Sequence, residues 1–309
     1  MKQNLDYKLI IALAAVGIVW GTTFLGIKVA VETIPPWFVT SIRQGLAGLI
    51  MMTILLFKKE LEWIGWENFK QQLIASVLML VIANGFTTIA EQNIPSGLAS
   101  VINAVTPILI FLGSIMFGLQ KMSLKGFTGV IIGFSGVVFI FKDGLVSFLD
   151  ANYRTGMMFM GFAILAWAAG TIYTKTHANK SKNITLNLFY QFTIASCIQL
   201  VLASIFSPNP DFSSWSTRSI FAALYLSIFG SVIAFGAYFT LVGRIGPSKA
   251  AYSTLLFPLV ALTLSTLYEG YVWQVNAIAG LLLILLGNLV MFARPEALMG
   301  KLLYRRRTA

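Results

Sequence analysis

Val81-Ile82-Ala83-Asn84-Gly85 returns as Val232-Ile233-Ala234-Phe235-Gly236, 151 positions further along the chain. At the same offset, without a gap, Ala99 meets Ala250, Pro107 meets Pro258, Gly129 meets Gly280 and Gly136 meets Gly287. Shared Val, Ile and Ala carry little weight between two apolar segments. Prolines and glycines in one unbroken register carry more, because each sets a backbone requirement that apolar composition does not reproduce. The stretch from Val81 to Gly136 therefore reads as one copy of an internal duplication, and such a repeat decides the fold.

The composition around the repeat is that of a polytopic membrane protein. Of 309 residues, 57% are hydrophobic and 11% charged, with a mean hydropathy of +0.81. A soluble domain carries about 25% charged residues. Lys2 and Lys8 precede an apolar run from Leu9 to Ala30. That run exceeds the roughly 7–15 residues of a signal-peptide core, so it reads as an uncleaved first span. The single cysteine, Cys197, lies in an apolar run and forms no intrachain disulfide.

A spanning helix needs about 20 mostly apolar residues. Ten segments qualify: 9–31, 36–57, 71–92, 95–118, 124–141, 156–175, 185–206, 219–242, 247–268 and 273–293. The fold class is thus an all-α integral membrane protein. With the N-terminus placed in the cytoplasm, 17 Lys and Arg fall on the cytoplasmic side and only Lys142, Arg154 and Arg218 on the other. That bias puts both termini in the cytoplasm. The formal charge of +11 is then topology rather than a nucleic-acid footprint, and Arg305-Arg306-Arg307 meets anionic lipid of the bilayer.

The repeat divides ten spans into five and five, over residues 1–150 and 151–309 of one integral membrane domain. Five is odd, so the second copy enters the membrane upside down, as in many secondary transporters whose solute site lies where the halves meet. The first helices agree: Trp20 and Lys28 are eight apart, as are Trp167 and Lys175, at an offset of 147. An indel of four residues in or beside the second helix reconciles the two offsets.

Ionisable residues within spans are functional suspects, and few occur. Asp6, Asp143, Asp150 and Asp211 lie in termini or loops, and His177 is the one histidine. Paired intramembrane aspartates, a serine–histidine pair, a histidine-ligated metal site and a phosphate-cradling Gly-rich loop are all missing. No enzyme chemistry, metal or cofactor is expected. Lys28, Arg43, Glu91, Lys175 and Glu269 remain, all toward span ends, where snorkelling is the competing explanation. Lys28 can also pair with Glu32 along its helix. Glu91 is the best candidate for proton coupling, on the face below Asn84 and Thr88, with Lys28 and Lys175 as gating candidates.

Uncharged polar residues at depth add to this. Tryptophan gathers at membrane interfaces, yet Trp20 and Trp167 fall mid-span, as pocket walls or as packing. Asn84 needs either a polar cavity or a partner helix. Pro107 and Pro258 each free the carbonyl four residues earlier, those of Asn103 and Thr254, which are equivalent under the repeat. The two kinks either face each other across a solute site or merely reseal their own backbones. Unwound half-helices are not evident. Gly126, Gly129, Gly133 and Gly136 form a small-residue stripe that Ala277, Gly280 and Gly287 echo. It serves close helix packing, within a half or between protomers of a homodimer through the fifth or tenth helix.

These residues resemble the drug/metabolite transporter superfamily in its EamA-like ten-helix branch. The resemblance covers nearly the whole chain. It rests on Trp20-Gly21-Thr22-Thr23-Phe24 with Lys28, on Pro36 and Arg43, and on Pro247-Ser248 with Ala250-Ala251, Pro258, Glu269, Gly280 and Gly287. It implies a cavity lined by helices 1, 3, 4, 6, 8 and 9, with Trp20, Thr23, Asn84, Thr88, Asn103, Trp167, Tyr238 and Thr254 as substrate-binding candidates. It further implies export of small organic metabolites, amino-acid-like or drug-like, across a bacterial inner membrane by alternating access. A lipid-handling flippase or a non-transporting helper subunit on the same fold is the alternative. The family often carries an acid after the fourth helix as well as after the ninth. Here Gly118-Leu119-Gln120 stands in the first copy, so Glu269 is expected to serve a local loop or cap.

Overall fold

A computed structural model describes residues 7–144, 149–177, 183–245, 253 and 256–292. Both chain termini, and with them the basic tail, lie outside the described residues. Among those described, every regular element is helical. In chain order these are α1 (Tyr7–Ala30), α2 (Pro36–Lys58), α3 (Trp66–Asn93), α4 (Ser96–Met116), α5 (Leu124–Gly144), α6 (Ala151–Thr176), α7 (Ile184–Phe206), α8 (217–245), α9 (Phe257–Glu269) and α10 (Val275–Phe292). Seven of them are long and apolar enough to cross a membrane, and α5 and α10 carry shorter apolar runs. Phe134, Val138, Leu200, Val201, Leu282 and Leu286 point outward, the apolar exterior a bilayer requires.

Local chemistry sets the helix ends. Pro36 opens α2, where a missing N–H costs nothing. Lys59 ends the same helix in the left-handed region at φ 56°, and Glu60 N–H returns to Leu55 O at 2.9 Å. The side chains of Asp150, Asn183 and Ser216 cap the first turns of α6, α7 and α8.

Two helices carry a π-helical segment. Ser76–Asn84 in α3 and Leu226–Ile233 in α8 are π-helical, at nearly the repeat offset, and π segments gather at functional positions. Each presents a carbonyl that another helix takes: Gln199 Nε2 donates to Leu80 O at 2.8 Å, while Trp20 Nε1 and Arg43 Nη2 both donate to Gly230 O at 3.3 Å.

The proline positions correct the expectation of simple kinks. α4 runs as Ser96–Asn103, turns at Ala104 and Val105, and restarts as Thr106–Met116 with Pro107 in its first turn. Pro258 likewise lies in the first turn of α9. Ile108 N–H bonds Val105 O at 2.9 Å, three residues back, so Ala104 O is left without its helical donor. Asn288 Nδ2 of α10 supplies one at 2.8 Å. The helix is interrupted, and its break is sealed from another helix.

The main pairings are α5 along α10, α2 along α7, α1 against α8 and α9, α3 against α6, and α4 against both α6 and α9. The glycine stripe of α5 serves two contacts within the chain: Gly129 and Gly136 face α10, while Gly126 and Gly133 face Phe111 and Ile108 of α4. A Cβ at Gly129 would lie 2.6 Å from Gly287 O, and one at Gly136 would lie 2.4 Å from Gly280 O. The residue order shows the two helices antiparallel. In α2 and α7, Gly45 faces Ser196 and Gly48 faces Thr193.

Candidate functional site

The helices enclose a cavity of about 550 Å³. Its inner part is bounded by Trp20, Thr23, Arg43, Asn84, Asn103, Pro107, Trp167, Phe235 and Tyr238. From there it extends along Gln71 at the start of α3, Ser114 and Gln120 at the end of α4, Tyr173 and Thr174 on α6 and Asn187 on α7, reaching the exposed His177. In addition to the six helices that the family resemblance implies, α2 and α7 contribute.

Aromatic side chains build the inner wall. Trp20 stands 5.5 Å from Phe235, 5.0 Å from Tyr238 and 5.6 Å from Phe257, ring centre to ring centre. Trp167 stands 6.2 Å from the same Phe235. The two mid-span tryptophans thus meet through Phe235. Edge-to-face contacts at such spacings are favourable, and they hold a flat, apolar surface against the cavity. Asn84, which matches Phe235 in the repeat, also lines the cavity, and its Nδ2 has no hydrogen-bond partner. At these two matched positions the cavity therefore meets an unpartnered amide at one and a packed ring at the other.

Not every predicted residue reaches this space. The Thr23 hydroxyl donates to Trp20 O at 2.6 Å, and Thr106 Oγ1 donates to Asn103 Oδ1 at 3.1 Å. Thr88 does not line the cavity: it is buried, and its hydroxyl donates to Asn84 O at 2.8 Å. Thr87, one residue earlier, lines it instead. Thr254 lies outside the described residues, as does the side chain of Lys175.

The charged residues depart most from the snorkelling picture. Arg43 is only 4% exposed, and its Nε donates to Ser231 Oγ at 2.9 Å. Lys28 does not pair with Glu32, which lies 3.8 Å from Arg218 instead. Its Nζ donates to Glu91 O at 2.6 Å and to Ile94 O at 3.2 Å, the last carbonyls of α3. Glu269 accepts from the backbone N–H of Ser96 at 3.0 Å, from the Ser96 hydroxyl, and from Ser265 Oγ at 2.9 Å. A cation thus holds the end of α3 and an anion the start of α4, each matching the helix dipole it meets. The α3–α4 turn is clamped at the end of the bundle opposite His177. Glu91 is fully buried, and neither carboxylate oxygen has a hydrogen-bond partner. Lys28, Arg43 and Glu269 are the charges within its electrostatic reach.

Sequence reading undervalued Arg43 and Asn288. An ionisable group on a span is a signal in itself, and Arg43 carried it. Asn288 lies in an apolar helix and could have been flagged on the same argument as Asn84.

The profile of the EamA-like transporter family matches residues 7–142 and again residues 154–293. An uncharacterized transporter, YvbV of Bacillus subtilis, is 28% identical over 287 residues, 92% of this chain and 91% of that protein. The uncharacterized inner membrane transporter YedA of Escherichia coli is 28% identical over 260 residues, covering 82% of this chain and 81% of its own. An uncharacterized transporter of Buchnera aphidicola is 31% identical over 249 residues, 80% of this chain and 81% of that one. A crystal structure superposes with a TM-score of 0.65 at 16% identity, covering 98% of this chain and 99% of that one. At that identity the likeness concerns the fold alone.

Proposed function

This chain belongs to the EamA-like transporter family, and we propose that it is a secondary transporter exporting small organic metabolites across the bacterial inner membrane by alternating access. The observation that carries the reading is the cavity: it is deep, walled by aromatic rings, and reaches one end of the bundle while the other end is clamped. Sites of a few hundred Å³ with an apolar lining and a few placed polar groups suit small molecules.

The proposed architecture is ten spans in two inverted five-helix copies. The double family match supports it, and so does the pattern of close contacts. Gly129 meets Gly287 and Gly136 meets Gly280, where 136 and 287, and 129 and 280, are repeat equivalents. Gly45 with Ser196 and Gly48 with Thr193 cross in the same way at an offset of 148. Matched crossing of this kind is what a twofold axis produces. With the orientation drawn from loop charges, the cavity opens to the cytoplasm, the loading side for an exporter.

In this scheme Lys28 and its counterpart Lys175 act at opposite gates, and Glu91 couples a proton to the cycle. The test is uptake into proteoliposomes against a panel of metabolites, with and without a pH gradient. Saturable counterflow of at least one small solute, and net transport accelerated by the gradient, are expected. Absence of counterflow for every small solute would sink the exporter reading.

A further inference from the structure

We propose that Arg43 is the anion-binding residue of the cavity, and that the transported solute is a monocarboxylate with an apolar or aromatic body. The assignment rests on the transporter reading above and sharpens its substrate class.

Arg43 lines the cavity yet is 4% exposed. Its guanidinium is anchored on one edge, through Nε to Ser231 Oγ at 2.9 Å and Nη2 to Gly230 O at 3.3 Å. Nη1 makes no hydrogen bond among the described residues. Among the described residues no carboxylate lies within ion-pair distance of Arg43. Buried charges are normally paired. Here a planar fork of donors is oriented by neutral groups and left open, the arrangement that suits a carboxylate.

The surroundings select for charge and shape. Among the described residues lining the cavity, none is Asp, Glu or Lys, and Arg43 is the one with a permanent charge. Arg43 lines the low-dielectric cleft while Glu91, the carboxylate within its electrostatic reach, does not, so the potential at the cavity wall favours anions over organic cations. Trp20 donates to the same Gly230 carbonyl as Arg43, so the aromatic wall begins beside the guanidinium. The unpartnered Asn84 amide adds a second donor to the cavity. One guanidinium and one amide match a singly charged group; a phosphate dianion would need more donors.

The test uses purified full-length protein and three probes of one shape: phenylacetate, its methyl ester and phenethylamine. Phenylacetate is expected to raise the Tm, with ester and amine inert. Arg43→Gln should weaken the apparent Kd for phenylacetate roughly tenfold to hundredfold, the loss of a charge-assisted contact, and Arg43→Lys should keep part of it. Should Arg43→Gln fail to fold, Asn84→Asp leaves the Arg43 contacts in place, and its new negative charge should abolish the phenylacetate response. Equal stabilisation by ester or amine, an unchanged carboxylate response in Arg43→Gln or Asn84→Asp, or no response to phenylacetate would overturn the assignment. Amine binding with intact counterflow would overturn it while leaving the transporter reading standing. Carboxylate binding without counterflow would do the reverse.

Discussion

The carboxylate of Glu269 and the backbone N–H of Ser96 meet at 3.0 Å across 173 residues of sequence. The expected local cap is thus a cap, but for the helix that opens at Ser96 rather than for the loop beside Glu269. Gly270, in the left-handed region at φ 67°, ends α9 immediately afterwards and leaves the acid at the helix terminus.

Glu269→Ala removes the acceptor for Ser96 N–H, Ser96 Oγ and Ser265 Oγ together. Loss of a cap of this kind costs about 1–2 kcal/mol. Thermal unfolding in detergent should show a Tm lower by a few degrees. Ser96→Ala should cost less, because the backbone N–H keeps its acceptor, and the double variant should be less than additive. Strict additivity would mean that the two residues do not act as one contact.

The contact of α5 with α10 predicts a sharp difference among glycines. At Gly136 a Cβ would meet Gly280 O at 2.4 Å, backbone against backbone, with no side chain able to turn away. Gly136→Val should force the helices apart and sharply reduce the yield of folded protein. Gly161→Ala and Gly236→Ala, where nothing lies within 4 Å, should be neutral or gain up to about 1 kcal/mol from the better helix former. Size-exclusion yield and Tm measure both, and a well-folded Gly136→Val would contradict the packing.

Asn288→Ala should leave Ala104 O buried without a donor, at a cost of about 1–2 kcal/mol. Asn288→Gln is not a rescue, because the added methylene must fit a site that is only 1% exposed. The loss should appear in Tm. A helix break that relaxes to bond its own carbonyl would show no loss and would make Asn288 dispensable.

Much of this was legible in the sequence, for reasons that vary by residue. Pro107, Pro258, Gly129 and Gly136 act through the backbone, so their positions alone announced irregular helix geometry and a close helix contact. Depth-dependent roles were harder to read. Lys28 lies one helical turn before Glu32, yet its amine turns to the Glu91 and Ile94 carbonyls, acceptors that exist only once α3 ends beside α1. Asn84 has neighbours on its face at both i+3 and i+4, and spacing could not decide that Thr87 rather than Thr88 reaches the cavity. Arg43 looked like a span-end residue because sequence position does not reveal that α8 lies against it.

The unequal pair Asn84 and Phe235 yields opposite outcomes. Phe235 is 4% exposed and joins Trp20 to Trp167, with Phe192 at 5.6 Å. Phe235→Ala should cost about 3–5 kcal/mol and disturb solute binding as a consequence of a looser wall. Asn84→Ala removes an amide with no partner for its Nδ2, so Tm should hold or rise while solute affinity falls. Reversal of the two stability effects would overturn this reading of the asymmetry.

Glu91 offers the most demanding test of the transport cycle. Its carboxylate is fully buried at the clamped end of the bundle, without a hydrogen-bond partner on either oxygen. Lys28 donates to the Glu91 and Ile94 backbone carbonyls instead, and Arg43 is anchored to α8. Glu91→Gln keeps the shape and removes the ionisable group, so the fold should survive with an unchanged or higher Tm, because no bond to the carboxylate is lost. If Glu91 carries the coupled proton, the variant should retain counterflow, which needs no net proton movement, and lose acceleration by a pH gradient. Glu269→Gln, at the same end but engaged as a cap, should keep the gradient dependence. Gradient-driven transport by Glu91→Gln at the wild-type rate would remove Glu91 from the coupling mechanism and leave its burial a matter of packing.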